Sequence, residues 1–156
     1  MITVADLATL TPAQLGQVSD LMRHGWTDYY GDLGNGDAVS AVQQRAVAGS
    51  LPLGVAALSG TKVIGTAAVA ATSFGVETGV SGPWLIGLIV AADYRNKGVA
   101  SSLVGSAEQL AKRMAFKKLY TTTRSAKGLM ARRGWHDCAT VSDGALDWHV
   151  MYKDLA

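Results

Sequence analysis

Hydrophobic positions are most regular between residues 83 and 116. The run Trp84–Val90 is apolar apart from one glycine, and its length and its Ile, Leu and Val content are typical of a buried strand. After a short polar turn, apolar residues recur at steps of three or four, which is the spacing of one helix face. These residues are Val99, Leu103, Ala107, Leu110 and Met114. The pattern predicts a strand, a turn and an amphipathic helix.

Shorter patterns predict the elements on either side of this unit. Thr11 followed by Pro12 and by Gln14 predicts a helix start with Thr11 as its N-cap, and Asp37 is expected to cap a second helix. Apolar segments predict strands over residues 2–7, 53–59, 62–71, 84–90, 118–123, 137–141 and 145–152. Helices are predicted over residues 11–26, 37–48, 99–114 and 126–133. Residues 27–36 and 72–82 are expected to be loops.

Length and composition bound the class of protein. A chain of 156 residues with an apolar fraction of 49% predicts one compact domain over residues 1–156. No apolar run is long enough to span a bilayer, and no basic segment precedes an apolar one at the N-terminus, so no membrane association and no signal peptide are expected. The single cysteine, Cys138, cannot form an internal disulfide and is expected to be a small buried side chain of a cytoplasmic protein.

The turn between the central strand and helix carries Arg95, Lys97 and Gly98. The first N–H groups of a helix lack partners and lie at the positive end of its dipole, and a glycine lets a ligand approach the backbone closely. With two basic side chains, such a turn is a seat for a phosphate or pyrophosphate. The spacing fits neither a P-loop, which needs a second glycine followed by Lys and Ser or Thr, nor a dinucleotide-binding fold, which needs three glycines.

Four features in chain order resemble the GNAT (Gcn5-related) N-acetyltransferases. The segment Arg95–Ala100 matches the family's Arg/Gln-x-x-Gly-x-Gly/Ala loop, and its spacing from the strand end at Leu88–Val90 also fits. Arg132–Trp135 resembles the family's helix ending in Gly-Phe or Gly-Trp, and Val150–Leu155 resembles its last strand. The resemblance implies an α/β (α+β) fold of order βααβββαβαββ, with a mixed, mostly antiparallel central sheet flanked by helices on both faces.

The resemblance also implies an activity. The family transfers an acetyl group from acetyl-CoA to a primary amine, here of a small molecule, by direct attack on the thioester and without a metal. The backbone N–H of Leu88 would face the thioester carbonyl as the oxyanion donor. The implied acetyl-CoA-binding residues are Leu88, Ile89, Val90, Arg95, Asn96, Lys97, Gly98, Val99, Ala100 and Ser101. The family often uses a tyrosine as general acid, and Met130 stands at that position. A homodimer stays open, since dimers are common in the family.

Gly87, inside the central strand, has two interpretations. A glycine inside a strand often marks a bulge or the close approach of another backbone, and in the family this strand splays from the next to admit the pantetheine arm. The alternative is a packing glycine beside a large neighbour such as Trp84.

The central strand offers no Glu, Asp or His as a base. Glu77, just before the strand, is slightly preferred over His149, and a base acting through water is the third option.

The segment 26–32 is the predicted acceptor site, because aromatic faces and carboxylates together attract a cationic amine. The predicted acceptor-binding residues are Trp26, Asp28, Tyr29 and Tyr30, with Trp84 of the central strand. The alternative is that Trp26 and Tyr30 seal the core while the aspartates face water. The charge pattern suits an anionic cofactor and a cationic substrate, because acids dominate residues 1–60 and basic residues dominate 95–133.

Three other functions compete with acetyl transfer. Nucleic acid binding is disfavoured, because aromatic residues are not interleaved with the basic ones. A non-catalytic acyl-CoA-binding or regulatory module on the same fold is favoured by Met130 and by the missing base, and turnover of any amine would exclude it. A nucleotide-binding α/β domain of another family would bind ATP or NAD in preference to CoA.

Overall fold

In a computed structural model, the described residues are 1–73, 75–142 and 144–155, without the side chain of Glu77. They include seven strands in one sheet of order β1-β2-β3-β4-β5-β7-β6. The strands are β1 Ile2–Asp6, β2 Leu53–Ser59, β3 Lys62–Ala70, β4 Trp84–Val90, β5 Lys118–Thr123, β6 His136–Ser142 and β7 Asp147–Asp154. The α-helices are α1 Pro12–Gly25, α2 Thr27–Tyr30, α3 Ala38–Arg45, α4 Val99–Arg113 and α5 Lys127–Arg132.

Strand pairing confirms the predicted fold class, a mixed, mostly antiparallel sheet with flanking helices. The β4–β5 pair is parallel, whereas the β1–β2, β5–β7 and β6–β7 pairs are antiparallel. The parallel pair follows from the connection through α4, because parallel strands need a crossover of a dozen or more residues. The central strand-turn-helix unit therefore lies where the apolar pattern predicted it.

The segment predicted as a loop over residues 27–36 contains a helical turn, α2. It is closed by hydrogen bonds from the Tyr30 N–H to the Trp26 carbonyl (2.8 Å) and from the Gly31 N–H to the Thr27 carbonyl (3.0 Å). A helix of four residues is too short to show a repeating apolar face, so the pattern could not reveal it. The next helix, α3, also ends at Arg45, three residues earlier than predicted.

The chain divides into two compact units. The first comprises Met1–Ala68 and Gly87–Ser106, and the second comprises Val69–Ile86 and Ala107–Ala156. In the first unit, a buried cluster joins α1 and α3 to β2 and β3; its members are Leu7, Val18, Met22, Ala38, Val42, Ala56, Leu58 and Val63. In the second unit, a smaller buried cluster holds Trp84, Val141 and Val150.

The predicted helix starts in the first unit are confirmed in atomic detail. The Gln14 N–H donates to Thr11 Oγ1 at 3.2 Å, and the Thr11 N–H donates back to Gln14 Oε1 at 3.0 Å. This reciprocal pair is a capping box, and it fixes where α1 begins. The Asp37 carboxylate caps α3 by accepting a hydrogen bond from the Ser40 N–H at 3.0 Å.

The predicted burial of Cys138 is wrong, because its side chain is exposed. It lies in β6, where the register against β7 shifts between Asp137 and Ala139. A bulge adds a residue to one strand and interrupts the alternation of inward and outward side chains. The interruption displaces Cys138 from the inward position that an apolar strand residue would take.

In the second unit, three side chains donate hydrogen bonds to the Glu108 carboxylate, and Arg133 donates two of them. Arg133 Nη2 and Lys153 Nζ lie 2.9 and 3.1 Å from Oε1, and Trp135 Nε1 lies 3.0 Å from Oε2. Burial alone would raise the pKa of Glu108, but the hydrogen bonds from Arg133, Trp135 and Lys153 outweigh it and hold the pKa below its usual value. The cluster joins α4 to the residues after α5 and to β7.

Glu108→Gln is expected to lower the free energy of unfolding by about 3 kcal/mol at pH 7, because two cations then lose their buried anion. A folded-state pKa below the unfolded one stabilises the protein above the unfolded pKa, and this contribution is lost as the pH falls through the folded pKa. The gap between wild type and variant should therefore close below about pH 4. Urea unfolding of both proteins at several pH values measures this difference in the free energy of unfolding.

Asp154→Asn is the matched control for this prediction. It removes the partner of Lys118 from an exposed ion pair of 3.3 Å, which is expected to be worth less than about 1 kcal/mol. Equal losses in the two variants would contradict the assignment of Glu108 as a buried anchor.

Candidate active site

β4 contains one residue with a left-handed backbone, Gly87, whose φ is +63°. A Cβ at this position would lie 3.0 Å from Arg45 Nη1. The β4–β5 ladder in the second unit consists of Trp84 opposite Tyr120 and Leu85 opposite Thr121, so it ends two residues before Gly87. The left-handed backbone agrees with the bulge interpretation of Gly87. The close Arg45 side chain is a large neighbour of the kind that the alternative interpretation required, although that neighbour is not Trp84.

The strand end that follows is held in place but remains partly accessible. Leu88 and Ile89 are half-buried, and Val90 is buried. The Ala91 N–H donates to the Ile64 carbonyl of β3 at 2.8 Å, and Arg95 Nε donates to the Val90 carbonyl at 3.1 Å. Arg95 therefore has a structural bond that the sequence did not predict: it ties the turn back to the strand.

The turn before α4 is exposed and conformationally specialised. Asn96 and Gly98 both have left-handed backbones, with φ of +61° and +81°. No atom lies within 4 Å of a Cβ built on Gly98, so the backbone there faces open space. The first bond of α4 runs from the Ser102 N–H to the Gly98 carbonyl at 3.1 Å. The start of α4 thus offers the accessible backbone that an anion requires.

Two cations reinforce this turn. Lys62 Nζ and Lys97 Nζ each lie 5.5 Å from the centre of the Tyr94 ring. The ring attracts both ammonium groups and so keeps two positive charges beside the turn. Lys62 belongs to β3, and nothing in its sequence neighbourhood marked it as part of this basic group.

An open cleft of about 750 Å³ lies beside α2. Its lining residues are Arg23, His24, Thr27, Asp28, Gly31, Asp32 and Leu33. Asp28 is thus the predicted acceptor residue that the cleft exposes directly. Tyr29 is 56% exposed and meets Tyr30 edge-on, with ring centres 4.6 Å apart. Trp26 and Tyr30 are half-buried against the core cluster, so these two side chains also serve the packing role that was the alternative.

Trp84 does not fit the predicted acceptor role. Its side chain is 0% exposed and lies in the core of the second unit, with its ring centre 5.8 Å from that of Tyr120. A side chain without exposed surface cannot meet a ligand from solvent. The apolar run around Trp84 gave no sign of which face of β4 it would occupy.

The predicted acid and base positions belong to the second unit. Glu77 lies in the short 3-10 helix Val76–Thr78, and its side chain is outside the described residues. His149 Nδ1 lies 3.8 Å from Asp137 Oδ1, and its side chain is one-third exposed. Met130, at the position of the family's usual tyrosine, is 1% exposed. The catalytic roles of Glu77 and His149 stay predictions.

Arg45 is a candidate site residue that the sequence interpretation missed. Its guanidinium lies beside Gly87, and burial lowers its pKa despite an electrostatic interaction with Tyr30 that raises it. A signal was present: Ala38, Val42 and Arg45 stand at positions i, i+4 and i+7, on one face of α3. A basic residue on the apolar face of a short helix is unusual, and this position could have marked Arg45 as a candidate site residue.

Comparison with known proteins identifies the family. The model of the acetyltransferase (GNAT) family matches residues 18–135, and the chain belongs to this family. No curated protein matches the sequence.

Among the described residues, no three His, Cys, Asp or Glu side chains are grouped to hold a metal ion. No helix within the described ranges combines the length and apolarity needed to cross a membrane.

Solved structures share the fold at low sequence identity. An aminoglycoside 6'-N-acetyltransferase complexed with coenzyme A has a TM-score of 0.81 at 16% identity, over 99% of this chain and 97% of its own. The aminoglycoside 6'-N-acetyltransferase from Enterococcus faecium has a TM-score of 0.79 at 16% identity, over the same shares. The ribosomal-protein-S18-alanine N-acetyltransferase from Escherichia coli has a TM-score of 0.70 at 13% identity, over 100% of this chain and 95% of its own.

Proposed function

We propose that the protein is an acetyl-CoA-dependent N-acetyltransferase for a primary amine of a small molecule. The observation that carries the proposal is the left-handed backbone at Gly87 of β4 followed, within the same unit, by the open basic turn before α4. Family membership supports the choice of acetyl-CoA, as does the coenzyme A in a complex of the same fold. Membership of the acetyltransferase (GNAT) family also excludes the alternative of a nucleotide-binding domain from another family.

The residues present fit acetyl-CoA. The backbone groups of Leu88, Ile89 and Val90 would bond the pantetheine arm beyond the bulge. The start of α4, from Gly98 onward, would take the pyrophosphate at its exposed backbone and at the positive end of the helix dipole, with Lys97 adding charge. Because Arg95 Nε is bonded to the Val90 carbonyl, this side chain would use its remaining N–H groups. Acetyl-CoA supplies the thioester that an amine attacks.

The chain's own part in the chemistry is electrostatic. The Leu88 N–H would donate to the oxygen that gains negative charge in the transition state, which is the role of an oxyanion donor. The carboxylates of Asp28 and Asp32 at the cleft would attract the protonated amine, and Tyr29 would offer it an exposed aromatic face. Glu77, His149 or a water molecule would then remove its proton.

A non-catalytic acyl-CoA-binding module remains the second candidate, on one specific observation. Met130 replaces the usual tyrosine and is fully buried, so this position supplies no proton to the leaving thiolate. A thiolate with a pKa of about 8.5 leaves without such help, which is why we favour the enzyme.

Calorimetric titration with acetyl-CoA, with ATP and NAD as controls, tests the cofactor. Selective binding of acetyl-CoA is expected, and equal or absent binding would contradict the proposal. A panel of primary amines, with thiol release as the readout, then tests turnover. Binding without turnover of any amine would favour the non-catalytic module.

A further inference from the structure

Arg45 is a buried cation that lacks a protein anion. It is 8% exposed, and it forms no ion pair with any carboxylate of the described residues. Its neighbours are Tyr30, with which it interacts electrostatically, and Met22 Sδ, which lies 3.8 Å from Nη1. A guanidinium carries five N–H donors, and a phenol and a thioether satisfy only part of them. Buried charges in proteins are normally paired, because an isolated one costs free energy.

The unsatisfied part of this guanidinium is not sealed from solvent. Among the described residues, Trp84 Nε1 is the one fully buried side-chain nitrogen or oxygen without a partner. Any Arg45 nitrogen that no protein atom satisfies therefore keeps some access to water. An anion arriving from solution could reach the same surface.

The location of Arg45 joins the two parts of the proposed site. Nη1 covers Gly87, directly before the proposed oxyanion donor Leu88. Tyr30, with which Arg45 interacts electrostatically, belongs to α2 beside the cleft, and Arg45, Gly87, Leu88 and Tyr30 all lie in the first unit. If Arg45 binds an anionic group of a molecule, an amine on a neighbouring carbon of that molecule would lie beside Gly87 and Leu88.

We propose that the amine acceptor carries a carboxylate, which Arg45 binds. The proposal rests on the proposed function and names its substrate class: an amino-acid-like zwitterion rather than a polycation. A polycation has no group for Arg45, and its charge would be repelled by this buried guanidinium. Asp28 and Asp32 then attract the ammonium group, and Arg45 recognises the carboxylate. A charge-assisted, bidentate contact of this type is what a guanidinium offers and an ammonium does not.

Matched pairs of amines test this proposal. Glycine, β-alanine and 4-aminobutyrate are each compared with their amides, at saturating acetyl-CoA, with a polyamine added to the panel. For the best pair, kcat/KM is expected to favour the acid by at least about 30-fold, the loss that follows when a buried charge loses its partner. Arg45→Met should abolish this preference by lowering kcat/KM for the acid alone. Arg45→Lys should restore part of it.

Calorimetry of the same pairs, in the presence of CoA, separates this proposal from the proposed function. Acids that bind in an Arg45-dependent way without turnover would support the carboxylate site and contradict the enzyme. Amides and polyamines that react as well as acids would support the enzyme and overturn the carboxylate site. Absence of binding by every acid would also overturn it. Arg113→Met, an exposed position on α4, controls for loss of charge, and thermal unfolding verifies that each variant folds.

Discussion

Gly98→Trp is expected to abolish acetyl-CoA binding while leaving the fold intact. The position is exposed, and no atom lies within 4 Å of a Cβ built there, so the side chain leaves the backbone without a clash. It does occupy the space in front of the α4 N-terminus, where the pyrophosphate would sit. The left-handed backbone, with φ of +81°, adds strain to any side chain. The dissociation constant should rise at least about 100-fold, which is about 2.7 kcal/mol.

Gly49→Trp controls for both the bulk and the strain. Gly49 also has a left-handed backbone, with φ of +97°, and nothing lies within 4 Å of its Cβ position. It lies in the connection between α3 and β2, outside the proposed site. Both variants should unfold at similar temperatures, and only Gly98→Trp should lose binding in calorimetry. Normal acetyl-CoA affinity in Gly98→Trp would overturn the assignment of this turn.

The part of the molecule that the sequence predicted well is the part governed by local rules. The apolar run Trp84–Val90 and the spaced apolar face of α4 each carry their period within a dozen residues. The capping box of Thr11 and Gln14 needs only its own four residues, and the structure shows it atom for atom. The basic turn before α4 could be recognised because its charges and its glycine are adjacent in the chain.

The errors concern side chains whose position depends on distant partners. Trp84 was assigned to the acceptor site, but packing against Tyr120, Val141 and Val150 places it in a core. The burial of Cys138 depends on the register between β6 and β7, which a single strand does not encode. Arg45 contacts Gly87 across 42 positions of sequence, so only the fold could bring them together.

A deletion of one backbone N–H tests the oxyanion assignment without changing a side chain. Replacing Leu88 by its α-hydroxy acid turns its amide into an ester, which cannot donate a hydrogen bond. If the Leu88 N–H stabilises the developing oxyanion, kcat should fall by about 100- to 1,000-fold, the loss seen when one such donor is removed. KM for acetyl-CoA should change far less, because this contact is strongest in the transition state.

An ester at Ala57 is the control for this experiment. Ala57 is fully buried in β2 of the same unit and pairs with Val4 in the β1–β2 ladder, outside the proposed site. An ester there should cost about 1 kcal/mol of stability and leave kcat unchanged. If the two esters lowered kcat equally, the Leu88 effect would report strand integrity rather than catalysis. A selective loss at Leu88 would instead mean that the left-handed backbone at Gly87 presents the next N–H as a working donor. It would also mean that Met130, in place of the family's tyrosine, does not prevent turnover.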